Sequence, residues 1–292
     1  MHPILFTIPG LDLPVRAFGV TIVLAFLLAH RVWMALLARY GADPKLDPVR
    51  SWDVGMWILV GVIAGGRLMY VAVEVLRHLS DQTGPGSVGQ RFVEQPWRVF
   101  FVWEGGLVMY GGFAGAVLLG LWGASRAGMR LAPALDTGLI AGFVGQSVGR
   151  VGCLLVGDDY GRVVPERWQH LPFPITLRVP DAAWLRENPA SLFEPELAGQ
   201  LVWCTQVWMS ASALIVALAG YLVLRRRSYA GQASLVVFLV YALNRFAIEA
   251  FRGDSVRGLW FDGALSTSQL LSVPVALAAL ALLVRNARRA SA

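Results

Sequence analysis

Residues 144–164 read VGQSVGRVGCLLVGDDYGRVV. The first half continues an apolar run that begins near residue 134, the composition of a helix embedded in lipid. Arg150 nevertheless sits inside it, and Asp158 and Asp159 follow where the run ends. An intramembrane arginine costs at least about 2.5–3.5 kcal/mol on insertion scales, so it demands a partner or a ligand. The run has six counterparts. Apolar stretches cover about 17–40, 54–76, 107–126, 134–153, 201–224, 231–251 and 266–285, each near the ~20 residues that a hydrocarbon core of about 30 Å requires.

The rest of the chain agrees with a lipid environment. Of 292 residues, 56% are hydrophobic and only 15% charged, against about 25% charged in a soluble domain. The expected fold class is all-α: a polytopic integral membrane protein with about seven transmembrane helices, forming one membrane domain over 1–292. Small-residue spacing such as GGFAGAVLLG at 111–120 lets helices approach closely. The N-terminal MHPILFTIPGLDLP lacks the basic region and cleavage site of a secretory signal. The net charge of +6 is nearly all arginine, Lys45 being the only lysine. In a membrane chain that excess reflects cytoplasmic loops and anionic lipid, so no nucleic-acid partner is expected. Cys153 and Cys204 are too few for a disulfide framework and lack metal-ligand spacing, so neither metal nor cofactor is expected.

Charge sets the orientation. Arg39, Lys45 and Arg50, then Arg126 and Arg130, then Arg225, Arg226 and Arg227, then Arg285, Arg288 and Arg289 all fall in short segments on one side. On the other side lie the segments 77–106, 154–200 and 252–265, where arginine is diluted by aspartate and glutamate. The positive-inside rule makes the first set cytoplasmic. The N-terminus is then periplasmic and the C-terminus cytoplasmic. The longest loop, 154–200, becomes a periplasmic arm between spans four and five, with PERWQHLPFPITLRVP lying along the membrane surface.

Four arginines fall in or at the edge of spans. Arg31 reads as snorkelling to a headgroup or as one half of a structural ion pair with a neighbouring helix. Arg67, in AGGRLMYVAVE, has Glu74 two turns later on the same face and is expected to pair with it. NRFAIEAFR places Arg245, Glu249 and Arg252 at i, i+4 and i+7 on one helical face. Glu249 can merely neutralise Arg245, or it can hold the guanidinium so that its other donors meet a phosphate. On the second reading Arg150 and Arg245 converge on an anionic headgroup near the outer leaflet. WEGGLVMYGGFAG, residues 103–115, sets paired glycines on both sides of Tyr110, which gives a lipid or substrate backbone room beside the phenol. Tyr110 as an interfacial belt residue is the simpler alternative.

Taken in order, these segments resemble the prolipoprotein diacylglyceryl transferases over most of the chain. LPVRAFGV resembles the start of that family's first helix and GGRLMYV its second-helix motif. WEGGLVMYGGFAG resembles its Trp-x-Gly-Gly…His-Gly-Gly segment, and GRVGCLLVGDDYGRV its Gly-Arg-x-Gly-Asn…Gly-Glu…Gly-Arg signature. TQVW resembles a Thr-Gln-x-Tyr-Glu helix start, YALNRFAIEAFRGD the Arg…Glu-Phe-Phe-Arg stretch, and STSQLLSVPVAL the last span.

The resemblance implies a multi-pass transferase of the bacterial inner membrane. Its partners would be phosphatidylglycerol, a preprolipoprotein signal peptide with a lipobox cysteine, and membrane lipid. Its reaction would move a diacylglyceryl group onto the lipobox thiol, releasing glycerol phosphate. By matched position Arg150 and Arg245 would clamp the phosphate, Glu249 would orient Arg245, and Asp158 would occupy the signature acid. Tyr110 would stand at the catalytic His position. Arg252, Gly149, Gly152, Gly161, Asp136 and Arg67 would complete the lipid-binding set.

The chain also departs from the pattern. Tyr110 replaces His, Cys153 replaces Asn, and Asp158, with Asp159 beside it, replaces Glu. Phe18 stands for Tyr near the first helix, and Trp208 and Met209 for the Tyr and Glu after Thr-Gln. A phenol with a reference pKa near 10 is a weak base at neutral pH unless neighbouring arginines depress it. The alternative reading is a non-catalytic or specialised paralogue that binds phospholipid or signal peptide.

Overall fold

The computed structural model describes residues 1–10, 13–80, 84, 86–102, 105–253, 259–260 and 265–291. A hairpin of β1 (Ile4–Ile8) and β2 (Leu13–Arg16) leads directly into α1 (Ala17–Tyr40). Then follow α2 (Asp47–Leu79), α3 (Val88–Glu94), α4 (Met109–Arg126) and α5 (Leu131–Val156). The segment after α5 holds β3 (Thr176–Arg178), α6 (Ala182–Glu187) and β4 (Leu201–Trp203). The chain continues through α7 (Thr205–Leu224), α8 (Gln232–Glu249), the short strands β5 (Leu259–Trp260) and β6 (Leu265–Ser266), and α9 (Thr267–Ser291).

Six helices among the described residues are long and apolar enough to cross a membrane: α1, α2, α5, α7, α8 and α9. The third expected span corresponds to α4, which is 18 residues long. The protein is an all-α polytopic membrane protein. Of the boundaries that differ from the sequence expectation, two have a plain cause. Helix α2 starts at Asp47, because an acid in the first turn and Pro48 at its start favour helix initiation well before the apolar run. The run from Leu201 is split: Leu201–Trp203 pair in antiparallel register with Thr176–Arg178, and the helix begins only at Thr205.

The chain forms two compact units, Leu37–Ala134 on the one hand and Met1–Leu36 with Leu135–Ala292 on the other. In the first, α2 and α4 cross at glycines. A Cβ built on Gly61 would lie 2.8 Å from the Ala116 nitrogen, and one on Gly65 3.0 Å from the Gly115 Cα. The small-residue spacing on α4 therefore meets a matching Gly61–Gly65 pair on α2, the close backbone approach such motifs permit. In the second unit, the arm between α5 and α7 has its own small core of Tyr160, Val179, Phe193 and Val202. Residues 161–164 are tied on one side to β4, with Gly161 and Val164 donating to the Trp203 and Leu201 carbonyls at 2.9 and 2.8 Å. On the other side Arg162 donates to the Phe251 carbonyl at 2.9 Å.

Candidate active site

Helix α5 ends where Gly157, at φ +77°, leaves the helical conformation, and the Gly157 and Asp158 N–H groups both donate to the Cys153 carbonyl at 2.9 Å. Asp159 follows at φ +54°, a left-handed conformation that aspartate tolerates better than most residues. Helix α7 holds this turn from outside. The Thr205 hydroxyl donates to the Asp159 carbonyl at 2.6 Å and the Gln206 amide to the Asp158 carbonyl at 2.9 Å. Both α7 side chains are fully buried.

The turn delivers the Asp159 carboxylate to two guanidiniums. One oxygen accepts from Arg150 and the other from Arg252. Arg252 also lies 3.9 Å from Glu249, and Glu249 pairs with Arg245 at 2.8 Å. Among the described residues the ion-paired chain thus runs Arg150, Asp159, Arg252, Glu249, Arg245, three cations against two anions. Arg245 additionally donates to the Ser268 hydroxyl at 3.0 Å and to the Met209 sulfur at 3.3 Å. Burial by itself would raise the Asp159 carboxyl, but the Arg150 and Arg252 guanidiniums, with Arg245 beyond them, hold it below the usual carboxylate range. Beside this network a narrow cleft is lined by Phe143, Gln146, Arg150, Met209, Tyr241 and Arg245 among others.

Several expected site residues come together here: Arg150, Arg245, Glu249 and Arg252 are in the network, and Gly161 bridges the Arg252 backbone. A Cβ on Gly161 would lie 2.5 Å from that of Trp203, so only glycine admits this approach. Asp158 sits beside the network, where its carboxylate accepts from the Asp159 N–H at 2.8 Å. Asp159 carries the carboxylate that meets Arg150 and Arg252. Gly149 and Gly152 lie on the α5 face against α1, where Gly152 is closed in by Thr21 and Phe18.

Other expected residues lie elsewhere. Asp136 is near the opposite end of α5, 14 residues or about 21 Å from Arg150 along the helix. There it accepts from Arg227, the Gly231 and Ser234 N–H groups and the Ser234 hydroxyl, all at 2.8 Å, pinning the turn between α7 and α8. Arg67 belongs to the other unit and does not pair with Glu74, whose partner is Arg77 at 3.5 Å. Its guanidinium instead donates to the carbonyls of Arg98 (2.8 Å), Val99 (3.1 Å) and Gly105, beside the Phe92 and Tyr70 rings. Nearby backbone carbonyls satisfied the charge before a carboxylate two turns away could. Tyr110 lies in the first turn of α4, and its side chain is outside the described residues.

The sequence reading did not single out Thr205, Gln206, Gln146 or Tyr241. The Thr-Gln pair was visible as a motif, but nothing in its spacing revealed that both side chains hold the carbonyls of the acid-bearing turn. Ligand atoms of Cys153, Asp158 and Asp159 lie within 4.8 Å of one another. Because both Asp159 oxygens already face guanidiniums, the electrostatics favour an anion over a cation. A fixed array of guanidiniums beside an apolar cleft is suited to hold a phosphate and to stabilise charge that grows on it.

A sequence model of the family described as Prolipoprotein diacylglyceryl transferase matches residues 3–285. Similar proteins include the phosphatidylglycerol–prolipoprotein diacylglyceryl transferase of Geobacter sulfurreducens, 28% identical over 289 residues that cover 99% of this chain and 96% of that protein. The enzymes of the same name from Mannheimia succiniciproducens (27% identical, 99% and 94% covered) and Gloeobacter violaceus (29%, 92% and 89%) are alike over comparable lengths.

Proposed function

Because the chain belongs to the prolipoprotein diacylglyceryl transferase family, we propose that it transfers the diacylglyceryl group of phosphatidylglycerol to the lipobox cysteine of a preprolipoprotein in the bacterial inner membrane. The observation that carries this reading is the network joining Arg150, Arg252 and Arg245 through Asp159 and Glu249 beside an apolar cleft. In the reaction the thiol loses its proton and the sulfur lone pair forms a C–S bond to the glycerol carbon that carries the phosphate. The C–O bond breaks, its electron pair leaves with the phosphate, and glycerol phosphate is released with one more negative charge than the diester bore. On this reading Arg150 and Arg245 stabilise that growing charge, and Glu249, paired with Arg245 at 2.8 Å, orients it. Tyr110 stands where the family carries His, and Tyr110→Phe reads whether its hydroxyl takes part in proton removal.

The test is direct. Purified protein is given phosphatidylglycerol and lipobox peptides of several sequences, and the thioether is followed by mass. Product mass increased by one diacylglyceryl group is the expected result. No product from any peptide, with phospholipid binding intact, would establish the binding-only reading instead.

A further inference from the structure

Three polar side chains in the cleft, Gln146, Ser212 and Tyr241, take no part in the ion pairs, and two of them share a helical face with an arginine. Gln146 lies four residues before Arg150 on α5, and Tyr241 four residues before Arg245 on α8. Each therefore sits on the same helical face as its arginine, about 6 Å further from the outer helix end. All four side chains line one cleft. Phe143, most of a turn below Gln146, packs its ring 5.0 Å from that of Tyr241. Both the Gln146 amide and the Tyr241 hydroxyl belong to half-buried residues that line this cleft. Two half-buried hydrogen-bond donors facing one cleft of an apolar helix bundle suit a ligand that accepts hydrogen bonds.

The depth identifies the chemistry. A glycerophospholipid whose phosphate meets Arg150 and Arg245 carries two ester carbonyls a few bonds below, before its acyl chains begin. Ester carbonyls accept and never donate, whereas the Gln146 amide and the Tyr241 hydroxyl both supply donors. The Phe143 ring then adjoins the first methylenes. Resting on the transferase reading for the lipid's identity, we propose that Gln146 and Tyr241 form an ester-carbonyl subsite that selects a diacyl over a dialkyl glycerophospholipid.

The experiment compares phosphatidylglycerol with its diether analogue of matched chain length, measuring both binding to the detergent-solubilised protein and turnover with a lipobox peptide. The diester should bind roughly three- to tenfold more tightly, the size of one or two neutral hydrogen bonds. Tyr241→Phe and Gln146→Leu should each reduce that preference while leaving the diether's affinity unchanged. Equal binding of both lipids by the wild type, or variants that weaken both equally, would overturn the subsite. Because binding is read separately, a protein that discriminates the lipids yet forms no thioether would refute the transferase and leave the subsite standing.

Discussion

Asp159 is the residue on which the site's electrostatics turn. Its carboxylate is shared by Arg150 and Arg252, both largely buried, with 14% and 9% of their side chains exposed. Removing one partner of such a set leaves charges uncompensated, typically a loss of about 3 kcal/mol. Asp159→Asn is therefore expected to lower thermal stability clearly, and Asp158→Asn to lower it less, which unfolding curves of the two variants will compare. The sign with pH follows from the depressed carboxyl. Its contribution is fully present above the unfolded value of about 3.9 and is lost only as pH falls through the lower folded value. The stability gap between wild type and Asp159→Asn should be constant from pH 7 to about pH 5 and should close only in stronger acid. The sequence placed an acid pair here without distinguishing its members. The structure shows Asp159, in its left-handed turn, meeting the Arg150 and Arg252 guanidiniums.

At the scale of elements, two devices set helix geometry. The α2–α4 crossing depends on glycines that leave no room for a side chain, so Gly65→Val should cost at least about 1–3 kcal/mol through overpacking, seen as a lower unfolding temperature. Asp136 ties the α7–α8 turn to α5 through four hydrogen bonds. Asp136→Ala should destabilise the fold by a comparable amount while the folded fraction keeps the wild-type KM for phosphatidylglycerol, because that residue sits far from the network along α5. Helices were legible from apolar runs, and the close crossing from glycine spacing. The strand at Leu201–Trp203 was not, because its apolar residues are continuous with the following helix and only pairing with Thr176–Arg178 separates them. Spacing misled for Arg67 too, since loop carbonyls far off in sequence are invisible to a helical-face rule.

For the whole molecule, family membership and the apolar helices agree on a multi-pass membrane enzyme, and the arginine distribution sets its proposed orientation. Both native cysteines are buried, so introduced thiols report topology. An impermeant reagent on intact spheroplasts should label Glu187→Cys in the arm and reach Ser228→Cys in the α7–α8 turn only after permeabilisation. The reverse pattern would invert the orientation. The central claim is that Arg150 and Arg245 hold the phosphate whose departure drives transfer. Its most direct measurement is the kcat of Arg150→Ala and Arg245→Ala with phosphatidylglycerol and a lipobox peptide, each variant first shown to be folded. A loss of about 10²–10³ in each is the predicted result, the size of a lost transition-state charge contact; turnover at the wild-type rate in both would contradict the account.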